Sequence, residues 1–256
     1  MSKSGYYRWL KRAGESDPDQ ADYLLIKEIF EQGKKKLGFR SIRMKLERKE
    51  IIMNHKKIQR IMRKYQLFAR IRRRNPYKMI MKKSLEHRVV ENLLSRNFRQ
   101  LIPFRILCTD ITYLFFNHRV AYLSVIKDIA TGEVVAWHLT VHLEMSLVME
   151  TVEKLKKHDM IATLKDVLIH SDQGFHYTNP QFIGQIKSLN MAQSMSRKGN
   201  CIDNAPIESF FGHLKDDADY KNCKTFSELH DIIADYMKYY NNERQQWKLK
   251  KMTPVE

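Results

Sequence analysis

The sequence predicts an α/β protein in which a small, basic, all-helical region precedes a larger domain built on a mixed sheet. Two patterns support this prediction. Apolar residues recur at helical spacing in the first part of the chain, whereas β-branched and aromatic runs of strand length begin near Pro103. After three successive strands the patterns alternate between helix and strand, which is the order expected of helices packed on a mixed sheet.

The positive charge of the chain is concentrated in its first hundred residues. Residues 1–100 contain 28 Lys and Arg against 10 Asp and Glu, a net charge of +18, whereas residues 101–256 have a net charge of −1. This excess predicts a polyanionic partner. The basic stretch lacks the long apolar face of a membrane-binding helix, so we expect nucleic acid, with DNA binding mainly in residues 1–100.

Composition favours a cytoplasmic protein without membrane association. The 256 residues contain three cysteines without CxxC spacing, which is typical of a reducing compartment. No apolar run approaches the roughly 20 residues needed to span a bilayer. The opening MSKSGYYRWLKR also lacks the apolar stretch of a secretory signal.

The first region is expected to contain three helices, at 19–33, 40–50 and 55–67, with Asn54 as the N-cap of the third. A helix, a turn and a second helix with basic residues outward indicate a helix-turn-helix whose second helix lies in a major groove. A small basic bundle with solvated charges is the alternative. The stretch 70–78 is expected to be a linker that follows phosphates. The candidate DNA contacts in this region are Arg60, Arg63, Lys64, Arg72, Arg73 and Arg74.

The second region begins with strands expected at 105–116, 119–130 and 132–140. A helix at 144–157, a strand at 166–172, a helix at 180–190, a strand near 191–196 and helices at 204–217 and 227–240 follow. We therefore expect a basic helical region with its linker at 1–83, a connecting segment at 84–102 and an α/β domain with a mixed sheet at 103–256.

Three acidic residues stand at positions suited to chemistry. Asp110 lies inside an otherwise apolar strand, where a charge is costly unless it is paired. Asp172 lies at the carboxyl end of another strand, the edge at which α/β sheets bind ligands. Glu208 is expected about one turn into a helix that Asn204 caps and Pro206 begins.

These three carboxylates are candidate ligands for hard, oxygen-seeking cations such as magnesium. Two such ions roughly 3.5–4 Å apart would stabilise the attacking and leaving oxygens of a phosphodiester displacement. Each acid alone is also compatible with an ordinary surface charge, and we expect nearby Asp203 and Asp216 to be such charges.

The motifs around these acids resemble the DDE transposases, and in particular the bacterial insertion-sequence transposases with a retroviral-integrase-like core. The motifs are TDIT with Asp110, HSDQGFHYTN with Asp172, and SMSRKGNCIDNAPIESFFGHLK with Glu208. The 35 residues between Asp172 and Glu208 are the interval shared by these transposases and the integrases. The YYRWLKR start and the closing YNNERQQWKLKKMTPVE also resemble the family, so the likeness covers nearly the whole chain.

The resemblance implies an RNase H-like fold and a metal-dependent transposase that cleaves DNA at element ends and joins them to target DNA. It implies two Mg²⁺ ions, or Mn²⁺, held by the three acids. Lys215 stands where the family carries a DNA-contacting Lys or Arg, on a helix face that we expect to be exposed. Arg197 and Lys198, in the third motif, are further candidate DNA contacts.

The resemblance also bears on partners and on alternatives. Double-stranded DNA and a homo-oligomer formed on it are the expected partners. The chain resembles the downstream half of a two-frame transposase, so an upstream-frame helix-turn-helix protein or fusion is a further expected partner. Two other functions stay open at this point: a DNA-binding regulator with an inactive core, and a structure-selective nuclease of the same fold.

Overall fold

A computed structural model describes residues 3, 4, 6, 7, 17–70, 90–158, 166–197 and 201–256. The chain divides into two compact units, Met1–Ile71 and Arg72–Glu256. The finer division of the chain into 1–83, 84–102 and 103–256 stays a prediction. None of the helices within the described ranges has both the length and the apolar character needed to cross a membrane.

Residues 17–70 of the first unit form three helices: α1 (Gln20–Gln32), α2 (Phe39–Arg48) and α3 (His55–Lys64). The predicted N-cap is confirmed, since the Asn54 side chain accepts a hydrogen bond from the Lys56 backbone N–H. Each helix has one apolar stripe, because residues three and four apart share a helix face. The three stripes pack together to form the core. The core residues are Ile26, Ile29, Phe30, Ile42, Leu46, Met53, Ile58, Ile61 and Met62.

The second unit is a five-stranded mixed sheet with helices. Its elements are β1 (Ile106–Phe116), β2 (Arg119–Asp128), β3 (Val134–Thr140), α4 (Met145–Lys156), β4 (Leu168–Ser171), α5 (Phe175–Thr178), α6 (Pro180–Ser188), β5 (Ala192–Met195), α7 (Ala205–Asp217) and α8 (Phe226–Asn242). The strand order is β3-β2-β1-β4-β5. The first three strands pair antiparallel, whereas β4 and β5 join β1 in parallel, so the predicted mixed sheet is confirmed.

The two faces of the sheet carry separate cores. Helices α7 and α8 pack on one face, where Cys108 and Leu114 of β1 contact Phe210 of α7 and its neighbours. Helices α4 and α6 pack on the other face, where Leu107 of β1 lies among Val152 and other apolar residues. Adjacent positions along β1 thus point into different cores, as the alternation of side chains along a strand requires.

Candidate active site

Asp110 and Asp172 stand level with each other on neighbouring parallel strands. Asp110 lies within β1, and Asp172 directly follows the last residue of β4. Cys108 pairs with His170, an offset of 62 residues, and the same offset places Asp110 opposite residue 172. Neighbouring strands lie about 4.8 Å apart. The sheet therefore brings together two carboxylates that are far apart in the sequence.

The face of the sheet that carries Asp110 is covered by α7. Side chains two and four residues apart on a strand share one face, so Asp110 shares its face with Cys108 and Leu114. Both of these apolar residues belong to the core that includes Ile207 of α7. The helix that carries Glu208 thus packs on the side of the sheet that Asp110 faces.

The pKa of Tyr177 is affected by the charges of both aspartates. Its hydroxyl lies 3.5 Å from the Oγ1 atom of Thr109, the residue before Asp110. Burial raises the pKa of Tyr177 well above its usual value, and the negative charges of Asp110 and Asp172 raise it further. The Tyr177 hydroxyl therefore stays protonated at neutral pH.

Each aspartate is oriented by a neighbouring backbone N–H. The Ile111 N–H donates to Oδ1 of Asp110, and the Gly174 N–H donates to Oδ1 of Asp172, both at 2.8 Å. A Cβ at Gly174 would lie 2.8 Å from that same Oδ1 atom. A side chain at position 174 would therefore have to move the Asp172 carboxylate away from its hydrogen bond to the backbone.

The start of α7 is attached to two strands of the sheet. The Asn204 side-chain amide donates to the Thr109 carbonyl at 3.5 Å, and the buried Lys127 ammonium donates to the Pro206 carbonyl at 3.3 Å. Asn204 stands at the predicted N-cap position, but its side chain makes no capping hydrogen bond. It contacts β1 instead, which fixes the helix start beside the strand that carries Asp110.

Glu208 lies in the first turn of α7 and is exposed. Helical Cα–Cβ bonds tilt toward the N-terminus, here toward the contact between Asn204 and Thr109. In the described part of the chain, however, no three His, Cys, Asp or Glu side chains form a group that could hold a metal ion. The structure thus places Asp110 and Asp172 on neighbouring strands and Glu208 on the helix that covers the face of Asp110, and the use of the three acids as one metal site stays a prediction.

The expectation that Asp203 is a surface charge is wrong. Its side chain is fully buried and accepts hydrogen bonds from Arg96 Nε at 2.6 Å and from Arg197 Nε and Asn92 Nδ2 at 3.1 Å each. The hydrogen bond from Arg197 lowers the pKa of Asp203 more than burial raises it, so the carboxylate stays ionised. Asp203 thereby joins residues 92–96 to the turn that precedes α7.

The expectation that Lys215 is exposed is also wrong. Its residue is 8% exposed, and its ammonium donates to the Thr112 hydroxyl of β1. The reason is geometric, because Lys215 lies one residue after Leu214 and four after Phe211, both of which belong to the buried stripe of α7. Thr112 is two residues past Asp110 and shares its face, so the lysine lies beside the candidate site. A DNA contact by Lys215 stays a prediction.

The other candidate DNA contacts differ in their surroundings. Arg197 is held by Asp203, whereas Arg60 and Lys64 form ion pairs with acidic residues that precede α1. Arg63 is exposed. The remaining candidates lie outside the described residues, and their DNA contacts stay predictions; they are Arg72, Arg73, Arg74 and Lys198.

Sequence reasoning missed several residues that support the site. Lys127 and Asn92 gave no signal, because nothing in their neighbourhoods shows which distant group they contact. His170, which precedes Asp172 by two residues, is fully buried with Nδ1 2.9 Å from the Ser194 hydroxyl. Burial lowers the pKa of His170, so the ring is neutral at neutral pH.

Family models match most of the chain. A model described as an HTH-like domain matches residues 17–75, and two described as integrase core domains match residues 100–201 and 208–256. The chain is 33% identical over 263 residues to the putative transposase InsK for insertion sequence element IS150 of Escherichia coli (strain K12), covering 100% of this chain and 89% of that protein. It is 37% identical over 211 residues to an uncharacterized transposase-like protein of Haemophilus influenzae, covering 81% and 94% of the two chains.

The fold is also found in a solved assembly. A chain in the cryo-EM structure of the simian T-cell lymphotropic virus intasome in complex with PP2A regulatory subunit B56 gamma is similar at a TM-score of 0.52 and 17% identity. The similarity covers 79% of this chain and 66% of that one, slightly less than two thirds of its length. The mixed sheet with helices on both faces is therefore an integrase-type, RNase H-like core.

The fold and these matches define an enzyme of the DDE transposase and integrase class, with an HTH-like unit before its catalytic core. The chain belongs to the family of bacterial insertion-sequence transposases. The fold and function predicted from the sequence are thereby confirmed. Neither a regulator with an inactive core nor a structure-selective nuclease is favoured by these relatives.

Proposed function

We propose that the protein cleaves double-stranded DNA at the ends of its insertion sequence and joins the exposed 3′ ends to target DNA, using Asp110, Asp172 and Glu208. The observation that carries this proposal is the level placement of Asp110 and Asp172 on neighbouring strands, on the face that α7 covers. Carboxylates are the ligands that Mg²⁺ and Mn²⁺ prefer. The donor chemistry of the site therefore fits two divalent ions.

The proposed reaction needs no covalent bond to the protein. In the first step a water oxygen attacks phosphorus, the bond to the 3′ oxygen breaks, and that oxygen leaves as a hydroxyl. In the second step this hydroxyl attacks a target phosphodiester, and the target strand leaves with a hydroxyl of its own. Bound divalent ions supply charge stabilisation at the attacking and leaving oxygens.

The chain's own residues hold and orient this site. Asp110 and Asp172 are held in place because each carboxylate accepts a hydrogen bond from a backbone N–H. Asp110 lies within β1, and Asp172 directly follows β4. Glu208 completes the site from the start of α7, which Lys127 and Asn204 hold against the sheet.

DNA is the proposed substrate and the main partner. The net charge of +18 in residues 1–100 supplies the attraction to phosphates, whereas residues 101–256 have a net charge of −1. This distribution of charge is consistent with a homo-oligomer that assembles on DNA in the bacterial cytoplasm. An upstream-frame helix-turn-helix protein is a further proposed partner.

The replacement Asp172→Asn tests the proposed chemistry. The amide keeps the oxygen that accepts the Gly174 N–H but removes the negative charge that a hard cation requires. We expect nicking of element-end duplex in Mg²⁺ to fall at least a hundredfold, with DNA affinity within about twofold of the unmodified protein.

Asp166→Asn is the matched control for this test. Asp166 precedes the same strand, its side chain is 79% exposed, and it lies 3.7 Å from Arg105. Its replacement should leave nicking unchanged. Substantial nicking by the Asp172→Asn protein would remove Asp172 from the site, and equal losses in both variants would show that local disturbance is the cause.

A further inference from the structure

The basic residues of α3 separate into two stripes with different surroundings. Lys57, Arg60 and Lys64 each contact an acidic residue within or just before α1, and we call them the paired stripe. Lys56, Gln59 and Arg63, which we call the open stripe, make no ion pair or side-chain hydrogen bond with any residue that the structure describes.

The paired stripe is held by strong contacts. Arg60 makes two hydrogen bonds to the buried Asp19 carboxylate, at 2.6 and 2.7 Å. Lys64 donates to Asp17 at 2.7 Å and to Asp19 at 3.0 Å. Lys57 pairs with Asp22.

These contacts keep the acids ionised. The hydrogen bond from Lys64 lowers the pKa of Asp17 to about 2, and the hydrogen bond from Arg60 lowers that of Asp19. Both carboxylates therefore carry their charge at neutral pH. A phosphate group that approaches Arg60 or Lys64 therefore meets the negative charge of these carboxylates.

Helix geometry places the open stripe away from the core. Each residue advances about 100° around an α-helix, so Lys56, Gln59 and Arg63 lie within about 60° of one another. The buried residues Ile58, Ile61 and Met62 occupy the other side of α3. Lys56 and Arg63 are thus exposed on the side of the second helix that faces away from the core, and Gln59 is half-buried beside them.

We propose that α3 contacts duplex DNA through Lys56, Gln59 and Arg63, and that Lys57, Arg60 and Lys64 act within the protein by fixing α3 to α1. The charges of Lys56 and Arg63 complement phosphates. Gln59 stands between them, and a glutamine amide can pair with the edge of an adenine in the major groove. This inference rests on the proposed function, since it presupposes that the first unit binds DNA.

The helix supplies two matched pairs of variants for a test in the full-length protein. Arg60→Ala and Arg63→Ala remove the same side chain three residues apart, and Lys56→Ala and Lys57→Ala remove adjacent lysines. Binding to a fluorescent 30-base-pair duplex would be measured by anisotropy over a range of salt concentrations. Thermal unfolding of each variant would be measured in parallel.

The two stripes should give opposite results. Each neutralised phosphate contributes roughly −0.9 to the slope of log affinity against log salt. Loss of Arg63 or Lys56 should therefore make the slope shallower by about 0.9, which weakens binding about eightfold at 0.1 M salt, with an unchanged Tm. Loss of Arg60 or Lys57 should lower the Tm, while the folded variants bind DNA within about twofold of the unmodified protein.

Two outcomes would overturn the inference. One is a loss of affinity for Arg60→Ala equal to that for Arg63→Ala at a temperature where both are folded. The other is normal binding and a normal salt slope for both Arg63→Ala and Lys56→Ala. The proposed function fails separately, if the unmodified protein itself neither binds nor nicks DNA.

Discussion

Replacement of the buried Asp203 by asparagine should destabilise the catalytic unit. Oδ1 of Asp203 accepts from Arg96 Nε and Arg197 Nη2, and Oδ2 accepts from Asn92 Nδ2 and from Nε and the backbone N–H of Arg197. In asparagine one of these oxygens becomes an NH₂ group. Whichever side the amide takes, at least two N–H donors then face another donor.

The size of the effect follows from burial and charge. A hydrogen bond to a charged group contributes about 1.5–3 kcal/mol. The side chains of Arg96 and Arg197 are 40% and 62% exposed, so water replaces part of what they lose. We therefore expect a loss of about 2–3 kcal/mol in the free energy of unfolding, which corresponds to roughly 4–12 °C in Tm for a unit of this size.

The effect should depend on pH in a defined direction. The pKa of Asp203 is lowered in the folded protein, mainly by Arg197. A lowered pKa gives stability that is present above the unfolded value, about 3.9, and that is lost as the pH falls through the folded value. The difference in Tm between Asp203→Asn and the unmodified protein should be full at pH 7 and should shrink below about pH 4.

Differential scanning calorimetry of the full-length protein measures this difference. Asp235→Asn is the control, because the Asp235 side chain is 80% exposed and lies 3.9 Å from Lys238. An exposed pair of this kind should contribute within about 0.5 kcal/mol. If Asp203→Asn shifts the Tm no more than Asp235→Asn, the buried carboxylate does not hold residues 92–96 to the catalytic unit.

Two further predictions concern other buried groups. Lys215→Ala should lower the free energy of unfolding by about 1–3 kcal/mol, because it leaves the Thr112 hydroxyl without this donor, whereas Lys238→Ala at a 78% exposed side chain should change it little. Equal thermal unfolding curves for the two variants would contradict a structural role for Lys215. Burial raises the pKa of Cys108 to about 12, so iodoacetamide at pH 8 should leave Cys108 unmodified in the native protein and modify it in urea, as read by mass spectrometry. Equal labelling in both states would show that Cys108 is accessible.

The sequence was sufficient for most of the elements and for the positions of Asp110, Asp172 and Glu208 within them. Period-two and helical patterns indicated the strands and most helices, since those patterns record which face each element buries. Asp110 and Asp172 were recognisable because each interrupts or ends an apolar strand. The surroundings of Asp203 and Lys215 were not predictable, since their partners Arg96 and Thr112 lie 107 and 103 residues away along the chain. The residues that neighbour Asp203 and Lys215 in the sequence therefore do not indicate these distant partners.

The register between β1 and β4 has a consequence for how the gene can change in length. A residue added between Ile169 and Asp172 would shift the phase of the strand and turn the carboxylate toward the α4 side of the sheet. A residue added at 141–143, between β3 and α4, lies outside every strand and leaves each strand position in phase. The interval between the two aspartates can therefore grow in this connection but not within β4. Reporter segments inserted there would lengthen that interval while each strand keeps its register.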